Sequence, residues 1–152
     1  MSRATPWVIG FGNPLRGDDG VGYRLAEQLV EMAELAAAVQ VLACQQLTPD
    51  LAATLHNARA VLFVDATVAP PSMQGPRLQA VEPNQAGDPC THAFTPAQLL
   101  SLTAALYDAH PPAWELLIPG HQWELREELS PATAAAAEAA LPLLLQWTQA
   151  HA

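Results

Sequence analysis

Basic side chains are scarce in this sequence, 6 against 15 acidic ones, for a formal net charge of −9. Nucleic acid and anionic membrane surfaces are bound through clustered Lys and Arg, so neither is expected as a partner. Cysteine is scarcer still, with Cys44 and Cys90 alone. They form no C-x-x-C pair, which removes a zinc knuckle. Two free thiols in a reducing compartment is a simpler expectation than one disulfide. No uninterrupted apolar run reaches the ~18 residues that a membrane span needs. Met1-Ser2-Arg3-Ala4-Thr5-Pro6 shows neither the apolar stretch nor the cleavage site of a signal peptide. A soluble, cytoplasmic protein is expected.

The familiar nucleotide and hydrolase motifs are missing too. Gly10-Phe11-Gly12 begins like a dinucleotide fingerprint, but Leu15 stands where the third glycine belongs, and two aspartates in the turn would repel a pyrophosphate. There is no Walker A loop, no H-E-x-x-H and no G-x-S-x-G. No organic cofactor is expected.

What is present is apolar content, 51% hydrophobic against 14% charged. That balance supports a packed core rather than disorder. A length of 152 residues suits one domain over 1–152.

Trp7-Val8-Ile9-Gly10-Phe11-Gly12 reads as a strand buried on both faces. A polar turn follows, then a helix over residues 21–37, with Val21, Leu25, Leu29, Met32 and Ala36 on one apolar face. Residues 39–43 read as a second strand. Thr48 and Pro49 read as N-cap and first residue of a helix reaching Asn57. Residues 60–64 are the clearest buried strand and are expected to end at Asp65. Residues 68–74 form a Pro-rich loop, and residues 77–81 alternate as a half-exposed edge strand does. Thr95-Pro96 opens a helix to Tyr107, residues 114–118 form a fifth strand, and Ser130-Pro131 opens the last helix, with Pro142 inside it as a kink. Strands alternating with helices predict a mostly parallel sheet covered on both faces.

Ligand sites in such folds lie at the carboxyl ends of the strands. Four polar residues fall there: Asp18 and Asp19 after the first strand, Asp65 after the third, and His121 after the fifth. One aspartate is enough to cap the helix that starts near Val21, and Asp18 is expected to do so, leaving Asp19 free to face the cleft. Asp65 at the end of an apolar strand is costly unless it is paired or binds a cation. With His92, which precedes a helix, the set offers two oxygens and an imidazole, suited to nickel, zinc or iron.

These residues resemble the hydrogenase maturation protease family. The resemblance covers nearly the whole chain and is strongest in Gly10-Phe11-Gly12-Asn13-Pro14-Leu15-Arg16-Gly17-Asp18-Asp19-Gly20-Val21-Gly22. It continues in Val61-Leu62-Phe63-Val64-Asp65-Ala66, in Thr91-His92-Ala93-Phe94-Thr95-Pro96, in Leu117-Ile118-Pro119-Gly120 and in Leu129-Ser130-Pro131. It implies a three-layer α/β/α fold with a mostly parallel, twisted five-stranded sheet of phosphorylase/hydrolase type. It implies an endopeptidase that removes a short C-terminal peptide from the nickel-loaded precursor of a [NiFe]-hydrogenase large subunit. Asp19 and Asp65 would be catalytic, and Asp19, Asp65 and His92 would contact metal, the nickel being presented by the precursor.

The sequence departs from the family's pattern in two places. Many members have glutamate where Asp19 stands. Many also have a Gly-Thr turn where this chain has Cys44-Gln45-Gln46-Leu47, which bears on which hydrogenase is served. Two routes of cleavage stay open: a carboxylate acting as general base on water with nickel polarising the carbonyl, or two carboxyls sharing a proton as in an aspartic protease. A non-catalytic nickel-checking chaperone and a small-molecule or nucleotide binder are the readings from other classes.

Overall fold

The structure, a computed structural model, describes residues 4–32, 38–83 and 94–152. The short apolar runs become strands: β1 (Trp7–Phe11), β2 (Gln40–Cys44), β3 (Val61–Val68) and β5 (Ala113–Gly120), with β4 (Arg77–Val81) as the alternating one. They form one sheet in the order β2-β1-β3-β5-β4. All pairings are parallel except β4 with β5, which is antiparallel. β4 lies at the edge, and Arg77 to Ala80 are exposed there.

Successive residues of β3 serve opposite faces of the sheet. Leu62 and Val64 join Val8, Leu116 and Ile118 under α1 (Val21–Val30) and α4 (Pro131–His151). Val61 and Phe63 join Ile9 under α2 (Leu51–Leu55) and α3 (Pro96–Tyr107). The expected three-layer α/β/α arrangement therefore forms, with a core on each face. Each fully buried Leu, Ile or Phe in it contributes about 1.5–3 kcal/mol.

α1 can lie close on β1 because Gly10 and Gly22 face each other. A Cβ at Gly10 would collide with the Gly22 carbonyl oxygen and stand 2.7 Å from the Ala26 Cβ. α1 ends at Val30, short of the expected residue 37, as Glu31 and Met32 donate to Gln28 and Leu29 in a tightened last turn. Ala36 lies outside the described residues.

α2 is also shorter than expected. Thr48 does not cap it; the Thr48 carbonyl accepts the Leu51 N–H at 3.1 Å in a preceding turn, and the helix begins after Asp50. α3 starts as expected, with a complete capping box between Thr95 and Gln98. α4 runs from a Ser130 cap and continues through Pro142. Among the described residues no helix is long and apolar enough to cross a membrane.

Candidate active site

β3 does not stop at Asp65. It continues to Val68 because β5 keeps pairing with it, in register from Asp65↔Leu117 to Val68↔Gly120. β1, on its other side, pairs only as far as Gly10↔Val64. Asp65 is thus the first residue of β3 beyond its β1 partner, and a cleft opens at that step. The cleft, about 480 Å³, is lined by Phe11, Gly12, Asn13, Asp19, Gln45, Gln46, Leu47, Asp65, Ala66 and Phe94. It lies where the chain leaves β1 for β2 on one side while β3 lies on the other, the switch point at which sheets of this type bind ligands.

Asp65 shares the sheet face of Val61 and Phe63, and its carboxyl is half-buried in the cleft wall. Burial pushes this carboxyl up to about 8; the Ala66 N–H opposes the rise, and the negative charges of Asp19 and Glu115 add to it. Near neutral pH Asp65 is therefore a carboxylic acid, able to donate a proton.

Asp19 reaches the same cleft from the loop after β1. The loop turns at Gly12, whose φ of +139° and closeness to the Asp19 carbonyl both exclude a side chain. A short 3-10 helix, Gly17–Gly20, then carries the two aspartates. The Asn13 N–H donates to Asp19 Oδ2 at 2.8 Å, and Asn13 Oδ1 accepts the Leu15 N–H at 2.9 Å.

Asp18 is not a helix cap. No side chain caps either the 3-10 turn or α1. Asp18 points instead into the protein, 0% exposed, toward the segment after β5 and the start of α4. Burial alone would raise its pKa, but the N–H groups of His121 and Ser130 and the hydroxyls of Thr133 and Ser130 outweigh it and bring it down to about 2. Asp18 is a buried anion, satisfied by donors.

His121 follows β5, but it is exposed and lines a different groove, against Met73, Pro76 and the Ala-rich face of α4. The Pro-rich segment borders that groove, on the opposite sheet face from Asp65. His92 lies outside the described residues; Phe94, two positions later, lines the cleft. Cys90 is likewise outside them. Cys44 is a free thiol whose pKa is raised by burial and by Asp50, which leaves it a poor nucleophile.

Sequence reasoning gave no separate role to Phe11 or Asn13 and marked Gln45 and Gln46 only as part of a turn bearing on which hydrogenase is served, yet all four line the cleft. The asparagine carried a signal, since an Asx turn directly after a strand is a positioned turn.

As donors for a cation, Asp19 and Asp65 are hard oxygens on one cleft, and a positive charge there would favour loss of the Asp65 proton. Two oxygens are half of the about four ligands usual for a divalent transition metal. They fit a metal that arrives with ligands of its own.

The fold is the one found in solved [NiFe]-hydrogenase maturation proteases. The protease HycI from Thermococcus kodakarensis KOD1 superposes with a TM-score of 0.71 at 21% identity, over 98% of this chain and 95% of that one. HybD from E. coli, a hydrogenase maturating endopeptidase, gives 0.66 at 19%, over 95% and 92%. A hydrogenase 2 maturation peptidase from a Thaumarchaeota archaeon gives 0.67 at 22%, over 93% and 96%. No protein-family model and no curated protein sequence matches the chain.

Proposed function

We propose that this chain is a cytoplasmic endopeptidase that removes a short C-terminal peptide from the nickel-loaded precursor of a [NiFe]-hydrogenase large subunit. The observation that carries the reading is the meeting of Asp19 and Asp65 in one cleft at the carboxyl end of the sheet. Support comes from fold: solved proteins alike over almost their full length are themselves described as maturation proteases or endopeptidases.

The chemistry follows from the pair. Asp19 takes a proton from water as its oxygen attacks the scissile carbonyl carbon. Asp65, held as the acid by its surroundings, protonates the carbonyl oxygen. The tetrahedral intermediate then breaks its C–N bond, and the amine leaves with a proton returned through the carboxyl pair. Phe11 and Phe94 supply apolar walls for the peptide, and Asn13, Gln45 and Gln46 supply amide donors and acceptors. The precursor's nickel belongs to the substrate. It marks a large subunit ready for trimming, and the Asp19 carboxylate, in a chain of net charge −9, attracts it.

The test is incubation with nickel-loaded precursor, followed by mass measurement. A product lighter by one C-terminal peptide is the expected result. Stable binding of the precursor with no change in mass would replace the protease with a nickel-checking chaperone.

A further inference from the structure

Asp18 and Asp19 are neighbours with opposite surroundings. While Asp19 lines the cleft, Asp18 is fully buried and gathers a distant part of the chain. Its Oδ2 accepts the N–H groups of His121 at 2.7 Å and Gln122 at 2.9 Å. The hydroxyl oxygens of Ser130 and Thr133 lie 2.8 and 2.7 Å from the same atom, and Oδ1 accepts the Ser130 N–H at 2.7 Å. Each hydroxyl has one proton, and Pro119 O competes for that of Thr133 at 3.0 Å.

The backbone around Asp18 is fastened to the same segment. Gly17 N–H donates to Arg126 O at 2.8 Å, Asp18 N–H to Gln122 O at 2.9 Å, and Arg126 N–H to Leu15 O at 2.9 Å. The Arg24 guanidinium joins Pro14 O, at 3.1 Å, to Glu127 O. Residues 13–19 are therefore tied to residues 121–133 through both backbone and side chains.

We infer that Asp18 is a positioning residue: through Ser130, Thr133 and the amides of residues 121 and 122 it holds the 13–19 loop so that Asp19 projects into the cleft. The N-terminal turn of α4 thereby helps set a site to which it contributes no lining residue. A tie that merely stabilised the fold would act on the folded fraction alone. A positioning tie also acts on the loop within the folded protein.

The kinetic arm of the test rests on the proposed proteolysis, and the exchange arm does not. Thr133→Val removes one hydroxyl at nearly constant volume, and Ser130→Ala removes the other. Both are compared with wild type in the full chain by site-resolved amide hydrogen exchange. Protection at Asn13, Arg16 and Asp19 is expected to fall roughly 10-fold, with β1 and β3 unchanged. Faster exchange confined to residues 121–133 would overturn the inference.

With nickel-loaded precursor, kcat per folded molecule should drop roughly 10- to 100-fold in Thr133→Val at nearly constant KM, the scale of a misplaced reacting group. Thr133→Ser, which keeps the hydroxyl, should restore it. A variant that is less stable but has wild-type kcat also overturns the inference. If wild type releases no peptide, the proteolytic reading fails, and the exchange result still decides the positioning role.

Discussion

The backbone N–H of Asn13 donates to the carboxylate of Asp19 at 2.8 Å, so the loop after β1 aims its own cleft carboxylate. Asparagine at position 19 could still accept this bond through its Oδ1. Asp19→Asn should therefore keep the loop and lose the base. Cleavage is expected to fall by roughly 100-fold or more, as for a lost general base. Asp65→Asn should lose as much, with the fold intact, because a neutral amide replaces a neutral carboxylic acid of nearly the same size. Peptide release measured against circular dichroism checks both. Full activity in both variants would end the carboxylate mechanism.

The raised carboxyl of Asp65 has a thermodynamic signature. Between the ordinary value near 3.9 and about 8 the folded chain holds a proton that the unfolded chain has lost. Its contribution to stability therefore declines as pH rises through that window and levels off above it. Asp65→Asn should remove this decline and leave the protein more stable than wild type on the alkaline side. Urea midpoints at about pH 5 and about pH 8.5 span most of the window. The same pH slope in wild type and variant would contradict the burial of that carboxyl.

Asp18 has the opposite sign. Its carboxylate is favoured by folding, so its contribution is complete above the ordinary carboxylate range and is lost as pH falls toward about 2. Asp18→Asn directs an amide at N–H and O–H donors. It is expected to cost about 1.5–3 kcal/mol at neutral pH, as for a hydrogen bond to a charged group, and to flatten the acid limb of the stability profile. A loss of only a few tenths would mean that the five donors are satisfied elsewhere.

Nickel in the substrate should matter more than nickel in the buffer. Nickel-loaded precursor is expected to be trimmed, and apo precursor to stay intact or nearly so. General unfolded substrates should not be cut. Equal rates for loaded and apo precursor, followed by intact mass, would remove the metal from recognition.

The fold was largely legible because its signals are local. Apolar runs at Trp7, Val61 and Trp114 announced buried strands, and Thr95 with Gln98 announced a helix start. The alternation over residues 77–81 announced an edge, although its antiparallel direction depends on β5, more than thirty positions away. Asp19 and Asp65 could be picked out as carboxylates close to the carboxyl ends of strands. Asp18 was misread as a cap because its donors lie 103 to 115 positions along the chain. Local spacing cannot see such partners. Asp65 was misread as a strand end for a related reason: an acidic residue looks like a terminus unless a neighbouring strand, here β5, continues the ladder.

The separation between Asp18 and Thr133 also sets an order of events during synthesis. The segment that bears Asp19 leaves the ribosome early, but the groups that fix it emerge more than a hundred residues later. At roughly 5–20 residues per second, the loop spends several seconds at least without its anchor. β3 likewise waits for β5, its partner beyond Val64. A nascent chain therefore carries both aspartates well before it has a formed cleft, and the proposed cleavage should wait until the first turn of α4 has emerged and packed.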